Sequence, residues 1–530
     1  MLRKWMTCLL VLAMLLSLAA PMGGLAEDSV VDAAAADTNF NPTGYPIVNE
    51  PVTKNIIIRR PPNIADPNDM AVFKYLEELT NVHINWIVLS SDGWTDRINL
   101  IMTSTDLPDA IIKGSPNVTR TSADGSIIDM KELMANFAPG LTSLYEQYPA
   151  IVTAITSPDG GIYQLPGVNT LEPNRTSHRN IWINQDWMEK LSLEMPTTTD
   201  EFLDVLRAFR DGDPNGNGAA DEIPYVVEDS GGGRNARPDI IASFFGLYSN
   251  FGYDNMNLVD GQVGFLKTDP QWKEVLQFMN IMWQEKLLDN EVFTQSPDSS
   301  LAKFSNGNSG MFGLSSDDLF STVSASYAPM PPVKSGNGLE PVIGLGAVAG
   351  RDCGVITKAD TSPWITMRWL DIFYTLEGSK ILGGLAPELE GITCQLLPDG
   401  SYEYADYILN DERGVAVAVG EMCPLPGGGF GYWRNDQNSN YIYSPFVKAA
   451  VPAYQPYYQQ DQAYGYPSFS MEDAEVVNDI RRDLDVYVLE CQSKFITGEM
   501  SFDQWDNYVA TTKQMGADDL VAYFQKMLDM

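Results

Sequence analysis

The stretch Val82-His-Ile-Asn-Trp-Ile-Val88 decides the fold class of this chain. Apolar residues occupy every second position from Val82, and His83 falls on the opposite side, which is the alternation of a half-buried β-strand. Upstream, Ile56-Ile57-Ile58 predicts a buried strand, and downstream Asp109-Ala-Ile-Ile predicts a short one. Three strand patterns therefore follow one another near the start of the chain.

Helical patterns separate these strands. Between residues 69 and 79 the apolar side chains of Val72, Phe73 and Leu76 recur on one helical face, and a second helix is predicted around Asp96–Met102. Strands that alternate with helices tend to form a parallel sheet covered by those helices. We therefore predict an α/β lobe in three layers, with a mainly parallel sheet in the middle.

Comparable signals continue downstream. Ile181-Trp-Ile183 predicts a strand, and Thr198 with Glu201 has the spacing of a capping box at the start of a helix. The segment 472–530 predicts helices that are interrupted near Gly498 and near Gly516. A second α/β lobe with a helical C-terminus is expected from this order.

The first 26 residues have the features of a secretory signal peptide. A basic start is followed by an apolar run from Leu9 to Ala20 and by Gly24-Leu25-Ala26 as a cleavage site. A bacterial lipoprotein would need a cysteine directly after the apolar run, and Cys8 lies too early. We therefore expect an exported protein, extracellular or associated with the cell surface, with no clear lipobox. Residues 27–48 are predicted to be a flexible leader.

The formal net charge is −36, from 34 basic and 70 acidic residues. Such a charge argues against a nucleic-acid partner and against general adsorption on an anionic membrane. It does not identify a ligand, because a cleft can differ from the surface as a whole.

Four cysteines remain after the predicted signal peptide: Cys353, Cys394, Cys423 and Cys491. They are too few to form a disulfide framework in a chain of this length. One or two bridges are compatible with export, and the sequence does not rank the three full pairings. No two cysteines have CxxC spacing and only two histidines exist, so neither a zinc site nor a Cys–His nucleophile is expected.

An oxygen-rich loop, Asp211-Gly-Asp-Pro-Asn-Gly-Asn-Gly-Ala-Ala-Asp-Glu222, follows a predicted helix. Its alternating oxygen side chains have the spacing of an EF-hand-type calcium loop, and Gly218 permits the sharp turn. Counted from Asp213, the twelfth position is Pro224 rather than glutamate, so the loop departs from a complete EF-hand. The candidate ligands are Asp213, Asn215, Asn217, the Ala219 carbonyl, Asp221 and Glu222. The alternative is a surface turn rich in Asx and glycine residues.

Several other stretches, in their order along the chain, are similar to those of a known family. They are Leu107-Pro-Asp-Ala-Ile-Ile, Tyr163-Gln-Leu-Pro166, Trp182-Ile-Asn-Gln-Asp-Trp-Met-Glu-Lys-Leu191, Phe304-Ser-Asn-Gly-Asn-Ser-Gly-Met-Phe312 and Lys494-Phe-Ile-Thr-Gly498. Together they resemble the extracellular solute-binding proteins of family 1, especially the LipO-like subgroup and its alginate- and oligosaccharide-binding members. The resemblance implies a two-lobe periplasmic-binding-protein-like fold of type II, in which each lobe has a mainly parallel sheet flanked by helices, with hinge crossovers and a helical C-terminus.

The resemblance also implies the division into lobes. The first lobe is expected at 49–165 and 298–350, and the second at 166–297 and 351–530. Crossovers between them are expected near 163–168, near 298 and near 344–354. The oxygen-rich loop lies in the expected second lobe and is similar to the calcium site of the alginate-binding members, which implies a structural calcium ion.

In function, the resemblance implies the ligand-capturing subunit of an ABC importer, a monomer that is not an enzyme. Its cargo is expected to be an oligosaccharide or glycan fragment that passes to a membrane permease, and the acidic total charge slightly favours neutral over polyanionic glycans. A peptide or another polar solute is the alternative cargo for the same fold. A secreted glycosidase is the rival of a different class, although the sequence contains no nucleophile elbow, phosphate loop or metal triad.

Aromatic side chains are candidates for the ligand site, since sugar rings pack their C–H faces on aromatic rings. The glycine-rich stretch 427–436 predicts a loop that displays Tyr432, Trp433 and Arg434, the alternative being a packed surface loop. Trp94 is a candidate from the first lobe, the alternative being a helix-start residue that packs on the sheet. Phe245 and His178 complete the candidate set, and a lone histidine is more often structural.

Overall fold

The structure is a computed structural model that describes residues 29–60, 65–170, 180–227, 236–249, 255–296, 299–300, 302–303, 306–314, 326–412, 415–424, 431–433, 451–459, 463–465 and 467–529. The strands are, in chain order, β1 Val52–Arg60, β2 Val82–Ser90, β3 Ala110–Ile112, β4 Leu165–Asn169, β5 Asn180–Asn184, β6 Ile223–Val227, β7 Met256–Val259, β8 Gln262–Phe265, β9 Ser309–Leu314, β10 Tyr327–Met330, β11 Ala349–Ile356, β12 Cys394–Leu396, β13 Tyr402–Tyr404 and β14 Gly431–Trp433.

The α-helices are, in chain order, α1 Val30–Ala36, α2 Ala71–Thr80, α3 Trp94–Met102, α4 Val118–Ala123, α5 Lys131–Phe137, α6 Pro139–Gln147, α7 Ala150–Ile155, α8 Gln185–Lys190, α9 Thr199–Asp211, α10 Pro238–Ile241, α11 Pro270–Gln284, α12 Pro363–Asp371, α13 Leu376–Leu382, α14 Asp406–Leu409, α15 Val415–Met422, α16 Met471–Thr497, α17 Trp505–Gln514 and α18 Ala517–Leu528.

The first sheet has the strand order β14-β4-β11-β3-β1-β2. β1 pairs in parallel with both β2 and β3, so that Ile56 lies opposite Trp86 on one side and Ala110 on the other. Along β2, Val82 is buried and His83 is exposed, as the alternating pattern requires. The predicted β-α-β-α-β unit is therefore confirmed.

The second sheet has the strand order β10-β5-β9-β6. Its β6–β9 pair is parallel, whereas β5 pairs antiparallel with both β9 and β10. Trp182 of β5 lies opposite Phe312 of β9, and both side chains are buried in one cluster. The two-lobe α/β fold is confirmed, but the prediction of a mainly parallel sheet is wrong for this lobe.

Strand pairing corrects the predicted division into lobes. β9 and β10, expected in the first lobe, pair within the second sheet, and β11, expected in the second lobe, pairs with β3 and β4 in the first. The chain thus crosses between the sheets between Asn169 and Asn180, and again between Leu345 and Ala349. A third crossing lies between β14 and Tyr454, because Tyr454 packs on the second sheet. The expected crossover near residue 298 is wrong, since the residues on both sides of it pack in the second lobe.

The predicted flexible leader is folded from residue 29 onward. α1 packs against α5, and Phe40, Ile47 and Val48 are buried in the core of the first lobe. A backbone bridge joins Phe40 to Val48. Apolar residues scattered among Asp, Asn and Pro gave no periodic pattern, so this docking was not visible in the sequence.

Local signals in the second lobe are confirmed. The Thr198 hydroxyl accepts a hydrogen bond from the N–H of Glu201, and the Glu201 carboxylate accepts one from the N–H of Thr198, at 3.2 and 3.3 Å. The C-terminal helices break where predicted, at Gly498 and Gly516, which have φ values of 84° and 102°. Helices α16, α17 and α18 pack on the second core.

The four cysteines are buried free thiols. Burial raises the pKa of the Cys423 and Cys394 thiols, and the same cause raises that of Cys491. In this structure the thiols therefore act as small apolar groups within the two cores.

Candidate functional site

A cleft with a volume of about 770 Å³ lies at the carboxyl ends of the parallel strands of the first sheet. Its first wall comes from the end of β1, from the start of α3 after β2, and from the segment after β3. Its second wall comes from residues 467–478, which include the first turns of α16. Phe469 on this wall belongs to the core of the second lobe, so the cleft lies between the lobes. Ligands of open α/β sheets bind at this edge.

The cleft combines an aromatic side chain with many groups that can form hydrogen bonds to a polar ligand. The polar side chains of its lining are Arg59, Thr95, Asn99, Ser115, Asn117, Thr119, Arg120, Arg351, Glu475 and Asn478.

Trp94 lines the cleft as the first residue of α3. Its side chain is 8% exposed and packs in a small apolar cluster with Ile57 and Ile111 of the first sheet. The Arg59 Cζ atom lies 5.7 Å from the centroid of the Trp94 ring, within the range of a cation–π contact. The structure thus places Trp94 both on the sheet and at the cleft, and its contact with a ligand stays a prediction.

The segment after β3 approaches Trp94 closely. A Cβ atom added to Gly114 would lie 2.7 Å from Trp94 Cζ2, so a larger residue would displace the ring. Three residues on, the Asn117 side chain accepts a hydrogen bond from the N–H of Arg120 at 3.0 Å and thereby caps α4. This turn brings Asn117 and Arg120 to the cleft.

Two of the predicted aromatic ligand contacts lie in the cores instead. Phe245 is buried in the second lobe, with its ring centroid 5.9 Å from that of Phe278. Tyr432 is buried in the core of the first lobe. The stretch that carries it is not a loop at Gly431–Trp433 but the short strand β14, which pairs in parallel with β4. The pairing partner is distant in the sequence, and for that reason the local glycine-rich composition did not reveal the strand.

For three further candidates, the described residues do not show whether the side chain lies at the cleft. The backbone of Trp433 ends β14 opposite Asn169. Arg434 and His178 lie outside the described residues. Their contacts with a ligand stay predictions.

Sequence reasoning missed the arginines of the cleft, Arg59, Arg120 and Arg351. A signal existed for Arg120, since Ser115-Pro116-Asn117 directly after a strand is typical of a helix start. Arg351 had none, because it lies where the pairing of β11 with β4 shifts register between Gly350 and Gly354. Such an irregularity depends on the partner strand.

The oxygen-rich loop joins α9 to β6 in the second lobe. The Asp213 carboxylate accepts a hydrogen bond from the N–H of Gly218 at 3.1 Å, and Gly218 has a φ of 76°, as the predicted turn requires. The side-chain amides of Asn215 and Asn217 donate to Asp221 Oδ1 at 2.8 and 3.0 Å. These two donors hold the pKa of the Asp221 carboxyl below its usual range.

Glu222 closes this loop with an unsatisfied oxygen. Its Oε1 atom is buried and has no hydrogen-bond partner among the described residues. A buried carboxylate oxygen without a partner is costly, and a cation would satisfy it. Together with Asp213 and Asp221, it gives the loop a donor set made of oxygen, which is what calcium prefers.

The candidate ligands of the loop do not converge on a single point in this structure. Among the described residues, no three carboxylate, imidazole or thiol groups lie close enough together to hold a metal ion. Asn215 and Asn217 present nitrogen rather than oxygen to Asp221. The donor chemistry therefore fits a calcium ion, and the two amides would have to turn to complete the site.

Comparison with known proteins places this architecture in a family. Residues 63–352, more than half of the 530-residue chain, match the profile of the family described as bacterial extracellular solute-binding protein. The chain belongs to this family. The resemblance inferred from the sequence motifs is thereby confirmed, and a cleft between two α/β lobes is the expected place for the solute.

A relative of this solute-binding protein is similar over almost its whole length. The fructooligosaccharide ABC transporter substrate-binding protein FusA of Streptococcus pneumoniae is 27% identical over 523 residues, which cover 94% of each chain. The solved structure of FusA in complex with kestose is 26% identical, with a TM-score of 0.71 over 90% of this chain and 99% of that one. An EF-hand mutant of FusA in complex with fructo-nystose matches with the same identity and coverage and a TM-score of 0.69.

Proposed function

We propose that this solute-binding protein captures an oligosaccharide in the cleft between its lobes and delivers it to the permease of an ABC importer. The cleft carries the proposal. It is large enough for several sugar units, and Trp94 lines it together with many amides, hydroxyls and guanidinium groups. The similarity to a fructooligosaccharide-binding protein over both lobes supports the same class of cargo.

Catalysis is not part of the proposal. A glycosidase needs two carboxyl groups about 5 to 9.5 Å apart in one cleft. Among the described residues that line this cleft, Glu475 is the single carboxylate. A binding protein needs no such pair, because it releases its ligand unchanged.

A panel of oligosaccharides and peptides, titrated by calorimetry, tests the proposal. We expect saturable binding of one glycan family and no loss of glycan during hours of incubation with catalytic amounts of protein. Binding of peptides alone would replace the cargo and keep the transport role. Steady hydrolysis of a bound glycan would contradict the assignment as a receptor.

The oxygen-rich loop is proposed to hold a structural calcium ion. Asp213, Asn215, Asn217, the Ala219 carbonyl, Asp221 and Glu222 would supply its oxygens. Calcium would supply positive charge to a loop that carries several carboxylates in a chain of net charge −36. An EF-hand in FusA supports this proposal.

Export is proposed from the signal-peptide features of residues 1–26, with a monomer as the working form and no nucleic-acid partner. No helix among the described residues is both long enough and apolar enough to cross a bilayer. N-terminal sequencing of protein secreted by a bacterial host tests the cleavage after Ala26. Light scattering after gel filtration tests the monomer.

A further inference from the structure

The charge of the cleft is opposite to that of the chain. The whole chain has 34 basic and 70 acidic residues. The charged side chains among the lining residues are Arg59, Arg120, Arg351 and Glu475. Three guanidinium groups therefore face one carboxylate in a protein where acidic residues outnumber basic ones.

The three arginines come from separate parts of the first lobe. Arg59 lies next to the end of β1, Arg120 lies in the short helix α4, and Arg351 lies in the irregular part of β11. A bulge turns a side chain away from the plane of its sheet, and bulges are common beside binding sites. Since three elements distant in sequence bring the same charged group to one cleft, the concentration of positive charge is a property of the fold.

Two of these arginines form no ion pair with a carboxylate among the described residues. The ion pairs formed between described residues include neither Arg59 nor Arg120. The Arg59 Nε atom is buried and has no hydrogen-bond partner among the described residues. A buried N–H without an acceptor costs stability, and an oxygen of the ligand would remove that cost.

Among its described residues, the opposite wall contributes one carboxylate to the lining of the cleft. Glu475, near the start of α16, is the carboxylate that it contributes to the lining. Among the described lining residues, this one carboxylate cannot neutralise the guanidinium groups of both Arg59 and Arg120. Low-dielectric walls on both sides of a cleft strengthen the field inside it, and the planar guanidinium group binds carboxylates through paired hydrogen bonds.

We propose that the cleft binds an oligosaccharide that carries negative charge, as the carboxylates of uronic acids or sulfate esters do. This inference rests on the proposed function and specifies its cargo. It replaces the expectation of a neutral glycan that the total charge had favoured. Arg59 and Arg120 pair with the anionic groups, while the edge of Trp94 contacts a sugar ring.

The experiment compares ligands that differ in charge alone. Oligogalacturonate and oligoalginate are titrated by calorimetry beside their methyl esters, together with a sulfated oligosaccharide and neutral kestose. We expect a free acid or the sulfated sugar to bind at least about tenfold more tightly than its uncharged counterpart. That preference should shrink between about 0.05 and about 0.5 M sodium chloride, because salt screens charge–charge attraction. The uronate and sulfate arms identify which anionic group is recognised.

Variants that remove a positive or a negative charge from the cleft test which residues bind the anion. Arg120→Gln and Arg59→Gln should weaken binding of the preferred anion by about tenfold, whereas Glu475→Gln should strengthen it several-fold. Arg482→Gln is the matched control, because Arg482 is exposed on α16 and pairs with Asp479 outside the cleft. Arg59 packs on Trp94, so its variant is compared after its thermal unfolding has been measured. The exposed Arg120 and Glu475 provide the comparison that does not depend on folding.

Two outcomes overturn the proposal and differ in what they leave standing. Tight binding of kestose or of the esters, with no preference for the acids and no response to Arg120→Gln, removes the anionic cargo and leaves the oligosaccharide receptor intact. Absence of binding by every charged and neutral oligosaccharide removes both the anionic cargo and the proposed function.

Discussion

The guanidinium carbon of Arg59 lies 5.7 Å from the centre of the Trp94 ring, and both residues line the cleft between the lobes. The contact joins the end of β1 to the start of α3. It places a positive charge beside an aromatic face, which is a combination suited to a polar ring-shaped ligand. We therefore expect Trp94 to contribute to binding as well as to packing.

Trp94→Ala should weaken oligosaccharide binding by about tenfold, since one ring contact contributes about 1.5 kcal/mol. It should also destabilise the first lobe, because the side chain packs on Ile57 and Ile111. Calorimetry at a temperature where the variant is folded separates the two effects. Trp283→Ala is the control, since Trp283 packs beside Phe293 in the second lobe. This variant should be less stable than the parent protein but should bind the oligosaccharide with unchanged affinity. Equal affinity of Trp94→Ala and the parent protein would remove Trp94 from the site.

Asp221→Asn should abolish most of the stabilisation by calcium. The parent protein at 100 times the dissociation constant should gain about 2.7 kcal/mol, seen as a higher unfolding temperature in calcium than in chelator. The variant keeps the shape of the side chain but loses the charge that a divalent cation needs. Asp211→Asn is the control, because Asp211 at the start of the loop pairs with Arg210 and is not a candidate ligand. The same calcium shift in all three proteins would refute a calcium site in this loop.

Asp371 should make stability depend on pH in a definite direction. Its two carboxylate oxygens accept hydrogen bonds from the N–H groups of Gly140 and Leu141, each at 2.9 Å, and burial raises its pKa from 3.8 to about 6. The native state thus binds more protons than the unfolded state between pH of about 4 and about 6. The stability from this group is complete below that range and is lost as the pH rises through it.

Denaturant unfolding of the parent and of Asp371→Asn measures this effect. The variant cannot ionise at this position, and the exchange of one acceptor oxygen for an NH2 group gives an offset that does not change with pH. The difference in unfolding free energy, parent minus variant, should fall by about 3 kcal/mol from pH 4 to pH 7, at about 1.4 kcal/mol for each pKa unit. A constant difference across this range would show that Asp371 titrates normally in the folded protein.

The cysteines should remain reduced and protected. Cys353, Cys394, Cys423 and Cys491 are buried free thiols, so a thiol reagent should react slowly with the native protein. After unfolding in denaturant, four thiols per chain should react in the form without residues 1–26. A sample reduced beforehand is the reference. Two missing thiols in the untreated sample would indicate a disulfide.

Patterns confined to neighbouring residues were sufficient for part of the fold. The alternation after Val82 and the capping box at Thr198 depend on side chains a few positions apart, and both predicted their elements. The turn at Gly218 was visible for the same reason. Each of these signals belongs to one element and needs no knowledge of its partner.

Features that depend on distant partners were not predictable. The sequences of β9 and β11 do not show which sheet each strand joins, because only their pairing decides it. Tyr432 appeared to lie in a loop because β14 is recognisable only beside β4. The cleft is formed by Arg59, Arg120 and Arg351, which no sequence window contains together.

β11 both follows a crossing between the lobes and contributes a residue to the cleft. It is the first strand after the chain returns from the second lobe, and it carries Arg351 into the cleft. Rotation of one lobe against the other would act on the same few backbone atoms that position this guanidinium group. We therefore expect the opening of the cleft and the release of a ligand bound at Arg351 to be coupled.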